Sequence, residues 1–135
     1  MARDALDFRI TPQWDLALTP TKDLMTAQGR LYREQQARLR LSLMRGEWAS
    51  DRFMGADLDE LRGEENTREL GDEIISRVIR ALTYDGLFLE EELSVDVVPL
   101  SEDEVLVRIE ASDEGTTPQT FEVALHLLHG TKPLF

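Results

Sequence analysis

Cysteine is absent from these 135 residues, so neither a disulfide framework nor thiolate chemistry is open to the chain. Histidine occurs twice, as His126 and His129, and a spacing of three puts the two on opposite faces of a regular strand. With no cysteine and no spaced carboxylate loop beside them, no metal site and no cofactor are expected. There is no glycine-rich phosphate loop, and no serine is marked as a nucleophile by a histidine and carboxylate partner. No apolar run approaches the roughly 18 residues of a membrane span, and the N-terminus lacks the apolar core of a secretory signal. The expectation is a soluble chain, free of membrane and made in a cytoplasm.

Positive charge is also scarce, 15 Lys and Arg against 27 Asp and Glu, a net of -12. Its distribution is uneven. From Tyr84 onward twelve acidic residues face only Arg108 and Lys132, a net of -10, whereas residues 28–45 carry five arginines against Glu34 alone. Acidic surface of that density repels phosphate, so no nucleic-acid partner is expected. For the arginine-rich stretch, a solvated face or a contact to another protein is the favoured reading over phosphate. The many carboxylates include possible pairs for glycoside hydrolysis, but abundance is no sign of a dyad, and solubilising charge is the simpler account.

What the sequence does have is alternation. Leu93, Val95 and Val97 alternate with Ser94, Asp96 and Val98; Val105, Val107, Ile109 and Ala111 alternate with Leu106, Arg108 and Glu110; Phe121, Val123, Leu125 and Leu127 alternate with Glu122, Ala124, His126 and Leu128. Turn residues fill Ser101 to Glu104 and Ser112 to Pro118, so the simplest arrangement is an antiparallel meander with one apolar face. Such a sheet cannot stand alone in water, and its unpaired edges can be completed by a strand from another chain.

Upstream, Asp7 to Ile10 and Trp14 to Leu18 are short extended candidates, able to form a small hairpin or to cover a meander edge, and Thr21 to Thr26 reads as a connection. Residues 28–44 favour a helix with Leu31, Tyr32, Leu39 and Leu43 on its sheet-facing side; Ala37, Leu41 and Met44 fall elsewhere. Gly46 ends that helix, with Arg45 suited to its C-terminal dipole. Gly46 to Gly55 is a loop of large side chains, and Ala56 to Leu61 a short helix with Leu58 and Leu61 inward. The clearest helix spans Thr67 to Thr83: Asn66 and Glu69 have the spacing of a capping box, and Leu70, Ile74, Ile75, Val78, Ile79 and Leu82 form its apolar stripe. The turn Tyr84-Asp85-Gly86-Leu87-Phe88 and the acidic collar Glu90 to Glu92 lead into the sheet. The expected fold is a single α+β domain over residues 1–135, a three- to four-stranded antiparallel sheet against two main helices.

The order Trp14-Asp15-Leu16-Ala17-Leu18, Asp23-Leu24, helix, Gly46-Glu47, a loop ending in Gly55, Leu58 and Leu61, a second helix into Tyr84-Asp85, then strands, resembles the baseplate wedge family of contractile phage tails, also called the sheath initiator and long labelled lysozyme-like. The family's Glu-Pro-Arg tripeptide after an aromatic residue is replaced here by Asp85-Gly86-Leu87 after Tyr84, and its Gly-Glu-Arg by Gly46-Glu47-Trp48, as in a divergent branch. The resemblance implies a structural protein, not an enzyme, in the virion tail baseplate, assembled in the host cytoplasm in six copies. Its implied partners are baseplate wedge proteins, the tail sheath protein, and tail tube or hub proteins. It places wedge contacts at Glu47, Trp48, Tyr84, Asp85 and Leu87. It implies addition of a sheath strand to the sheet without fixing the edge; the last strand, at Phe121, Glu122, Val123, Ala124, Leu125, His126 and Leu127, is favoured because the first follows directly from the helix and can be covered by the N-terminal segment. Two alternatives stand beside it. One is a small glycan hydrolase, to be tested at Glu47, Asp51 and Asp85; the other is the equivalent wedge component of a bacterial contractile secretion apparatus.

Overall fold

A computed structural model describes residues 7–8, 18, 20, 26–27, 30–112, 117–127 and 130–133. Its largest unit is an antiparallel sheet of strand order β3-β4-β5-β6, formed by β3 (Leu93–Pro99), β4 (Glu104–Ala111), β5 (Gln119–His126) and β6 (Gly130–Pro133). The alternation sets its register. Val95, Ile109 and Phe121 lie in one row across three strands, and Val97, Val107 and Val123 in the next, so every apolar residue of the period-two pattern falls on one face. That face is buried by α1 (Arg30–Ser42) and α2 (Arg68–Thr83), α2 lying against β3 while α1 lies against β5 and β6. Leu70, Ile74, Val78 and Leu82 of α2 meet the strand residues in one core with Leu87 and Phe88. Phe88 and Phe121 pack edge to face, their centroids 6.1 Å apart. The fold is α+β, two helices on an antiparallel sheet of three long strands and a short fourth.

Several local expectations need correction. Helix α1 does not turn Leu31 inward: Leu31 is exposed and Leu39 and Leu43 half-buried, while Tyr32, Ala37 and Leu41 lie in the core beside Gln36 and Arg40. Its buried side is partly polar, which hides it from an apolar count. The helix stops at Ser42, short of Gly46, and Arg45 answers Asp57 instead of the helix end. Helix α2 is capped by Thr67, whose hydroxyl accepts from the Leu70 N–H at 3.2 Å, while the Asn66 amide donates to the Ser101 carbonyl at 2.6 Å. Residues 58–61 form a 3-10 turn with Leu58 and Leu61 buried, as their spacing implies.

At the N-terminus, β1 (Asp7–Phe8) pairs antiparallel with β2 (Thr26–Ala27), not with the meander; Thr26 had read as the end of a connection. Arg9, Ile10, 14–17 and 21–25 lie outside the described residues, as do 113–116 of the second turn and Leu128 and His129. Strand β6 has no alternation in sequence and was not anticipated.

Gly55 has a structural reason to be glycine. Its φ is +139°, and an added Cβ would sit 2.6 Å from the Leu43 carbonyl oxygen and 2.7 Å from the Met44 carbonyl carbon. At Gly46, φ is +93° but nothing lies within 4 Å of the added atom. Gly55→Ala is expected to cost about 2–3 kcal/mol and Gly46→Ala about 1 kcal/mol, strain alone in the second case. Urea unfolding of both variants checks this, and equal losses would remove steric collision as the cause.

Candidate interaction surfaces

The sheet ends in the short strand β6, laid along β5, on one side and in the long strand β3 on the other. β6 pairs along Val123–His126 of β5, matching Val123 with Pro133, Ala124 with Lys132, Leu125 with Thr131 and His126 with Gly130. This overturns the last strand as the accepting edge. Phe121, Val123 and Leu125 are also core residues, and the Leu127 N–H donates to the Asp103 carbonyl at 2.6 Å. Of the seven positions expected to bind a strand, Glu122 alone is neither matched to β6 nor buried.

β3 is the other margin, and no strand covers it among the described residues. Its outward groups follow from its register. The Ser112 N–H donates to Glu92 and the Leu100 N–H to Glu104, so the even positions 92 to 100 direct their backbone groups to β4. The odd positions then turn theirs outward. Leu93 gives its N–H to Glu90 at the preceding 3-10 turn, which leaves the N–H groups of Val95 and Val97 and the carbonyls of Leu93, Val95, Val97 and Pro99 facing out. Proline at such a position lacks only a donor that nothing in this molecule would use, as expected of an edge strand.

The five positions offered as a wedge contact do not form one surface. Leu87 is buried in the core. Asp85 is held from within: the Arg40 guanidinium, 0% exposed, donates to both its oxygens at 2.8 and 2.7 Å and to the Ala81 carbonyl at 2.9 Å. Arg40 also lies 5.1 Å from the centre of the Tyr84 ring. The Tyr84 hydroxyl donates in turn to Asp51, so α1, the end of α2 and the 46–55 loop are tied through one chain of contacts. Glu47 caps its own turn, accepting from the Met44 N–H at 2.9 Å. Trp48 and Tyr84 remain on the surface, as does Phe53, another large side chain of the 46–55 loop, 69% exposed. Burial raises the Asp85 carboxyl, but the Arg40 hydrogen bonds and charge outweigh it and hold it below its usual range. Partial burial, helped by Asp51, pushes the Tyr84 hydroxyl above its ordinary value.

A second carboxylate anchors the same loop. Asp57 sits in the left-handed region at φ 56°, and accepts from the Arg45 N–H and Nε, both at 2.6 Å, with Arg80 at 3.7 Å. Burial lifts its carboxyl, and the Arg45 hydrogen bonds and the two cations bring it below its ordinary value. The arginine-rich helix is therefore no solvated cationic face: Arg33, Arg38 and Arg40 are buried. Neither the Arg40–Asp85 nor the Arg45–Asp57 partnership is legible from spacing, the residues being 45 and 12 apart. Among the described residues no group of three His, Asp or Glu side chains is placed to hold a metal ion. Comparison with known proteins returns no matching family model, no matching curated protein and no matching solved structure.

Removing one member of the buried pair leaves the other charge without a partner, so Arg40→Met or Asp85→Asn is expected to cost about 3–5 kcal/mol, and the double variant much less than the sum. A double-mutant cycle in urea checks this. Asp57 and Asp85 both titrate below an ordinary aspartate near 3.9, so their stabilisation is complete above that pH and is lost as pH falls through the lower folded values. Unfolding free energy is expected to drop steeply from about pH 4 downward, and less steeply in Asp85→Asn. Equal slopes would exclude the ion pair as the source.

Proposed function

We propose that this chain is a non-enzymatic structural component of a contractile tail baseplate, joining wedge to sheath and starting the first sheath ring by accepting a strand. The observation that carries the reading is the outer margin of β3, a helix-backed strand with two outward donors and four outward acceptors left for a foreign chain. The resemblance in the order of features along the chain supplies the machine in which such an acceptor has a use. The strand-addition site moves accordingly from β5, which β6 covers, to Leu93–Pro99. Free energy comes from main-chain hydrogen bonds, each worth about 0.5–1.5 kcal/mol net. Wedge proteins and the tail sheath protein are the partners, with Trp48, Phe53 and Tyr84 as the exposed aromatic group available to the wedge. Aspartate held charged by Arg40 is a poor proton donor, which speaks against Asp85 as the acid of a glycan hydrolase.

Mixing the purified chain with its sheath subunit tests the reading, with two proline variants to locate the contact. Val95→Pro removes an outward N–H and leaves the β3–β4 ladder whole, so the protein is expected to stay folded and lose association at least tenfold. Asp96→Pro removes an inward donor and is expected to cost about 3 kcal/mol of stability. No association of the wild-type chain with the sheath subunit, or undiminished association of Val95→Pro, would sink strand addition at this edge.

A further inference from the structure

Helix α2 carries a glycine, Gly71, in its first turn, where glycine is a poorer helix former than alanine. Neither backbone conformation nor crowding requires it. Gly71 has no positive φ, and an added Cβ would only touch the Val97 side chain at 3.7 Å, an ordinary contact. What the missing side chain does is leave room. Between α2 and β3 runs a groove of about 340 Å³ whose lining includes Gly71, Ile75, Val97 and Pro99 together with Arg68 and Asp72. It lies directly beside the open margin of β3. Val95, Val97 and Ile75 are only half-buried there, because the sheet ends before it has covered them.

We infer that Gly71 keeps open a side-chain seat belonging to the β3 edge, and that the segment it accepts alternates apolar and basic residues. This rests on the reading of the chain as a strand acceptor, and specifies what that acceptor selects. Residues of an added strand opposite Val95 and Val97 share their face of the sheet, so their side chains descend onto Ile75 and the opening above Gly71, where apolar groups fit. Those between them stand on the other face, beside Ser94, Asp96 and Val98. Asp96 is exposed and has no ion-pair partner among the described residues: Arg108, directly across from it, lies 4.0 Å from Glu122 instead. A lysine or arginine opposite Asp96 supplies the missing charge, within a region that is strongly acidic from Tyr84 onward.

The same aspartate disfavours a second copy of this chain as the occupant. Antiparallel pairing of two β3 strands about Val95 or Asp96 brings the two Asp96 carboxylates diagonal or opposite to each other, and like charges so placed are destabilising. The occupant is therefore a foreign extended segment.

The full chain, with synthetic heptapeptides alternating valine with lysine or valine with glutamate as probes, tests this by amide hydrogen exchange and titration. The lysine peptide is expected to slow exchange at the Val95 and Val97 amides at least tenfold and leave Ser94, Asp96 and Val98, already bonded to β4, unchanged. Gly71→Leu fills the seat with a better helix former, so it is expected to weaken binding tenfold or more with an undiminished thermal midpoint. Asp96→Lys is expected to reverse the preference to the glutamate peptide. No protection at millimolar peptide, protection placed elsewhere, or binding indifferent to Gly71→Leu and Asp96→Lys overturns the inference. The two readings fail separately. Sheath association lost in Val95→Pro but intact in Gly71→Leu and Asp96→Lys removes the seat and keeps the acceptor; selective peptide binding without sheath association keeps the seat and removes the sheath.

Discussion

The guanidinium of Arg40 is the contact on which the helical layer depends. It is a large, fully buried charge, and its hydrogen bonds reach the Ala81 carbonyl in the last turn of α2 and both oxygens of Asp85 just beyond that helix. Each feature of arginine is used: the fork meets a carboxylate at two points, the flat face rests near Tyr84, and the charge stands where the α2 dipole is negative. A lysine could satisfy one of these demands at a time. Burying the pair brings little net stability over a well-packed apolar substitute, because desolvation offsets most of the attraction. What it fixes is geometry, since only one placement of α1 against the end of α2 leaves no charge without a partner.

That constraint extends to the surface. Tyr84 follows the α2 C-terminus, and its hydroxyl holds Asp51 in the loop that carries Trp48 and Phe53. Asp57 closes the same loop from the other side through Arg45 and Arg80, and Arg77 donates to the Asp57 carbonyl at 2.8 Å. Trp48 and Phe53 are thus carried on a segment whose ends are tied together by Arg45 and Asp57, held to α2 at Asp57 and to Tyr84 at Asp51. An aromatic group held in this way loses little further freedom when a partner covers it.

How far the sequence disclosed this depended on the chemistry of each element. The three long strands and α2 were legible because apolar residues alone bury their faces, so period and burial coincide, as at Val105, Val107 and Ile109 or Leu70, Ile74 and Val78. Helix α1 was misread because its inward side includes Gln36 and Arg40, polar residues that an apolar count passes over, and the tertiary partners of Arg40 are announced by no local pattern. The N-cap was misplaced by one residue, since Asn66 and Thr67 both suit the position and only the fold engages Asn66 elsewhere. Strand β6 was invisible because Gly130-Thr131-Lys132-Pro133 has no alternation; its neighbour β5 supplies the register. Pro99 and Gly71 were in plain view, but their meaning needs the sheet order.

With that order known, the two margins of the sheet differ in kind. At β5 the molecule supplies its own fourth strand, so that the margin on that side is only four residues long. At β3 no described strand does the same, yet the edge is not left indiscriminate: Pro99 withholds a donor at one end, and Asp96 sets a negative charge at its centre. Those devices resist pairing with like strands while leaving the outward groups of Val95 and Val97 available. A margin meant only to stay inert has no need of a glycine that thins the helix beside it. Gly71 weakens α2 and leaves Val97 half-covered, two losses that a single alanine would reduce without collision. They are reconciled if the covering of Val97 comes from outside the chain, which makes the cost of the glycine part of what admits a partner strand.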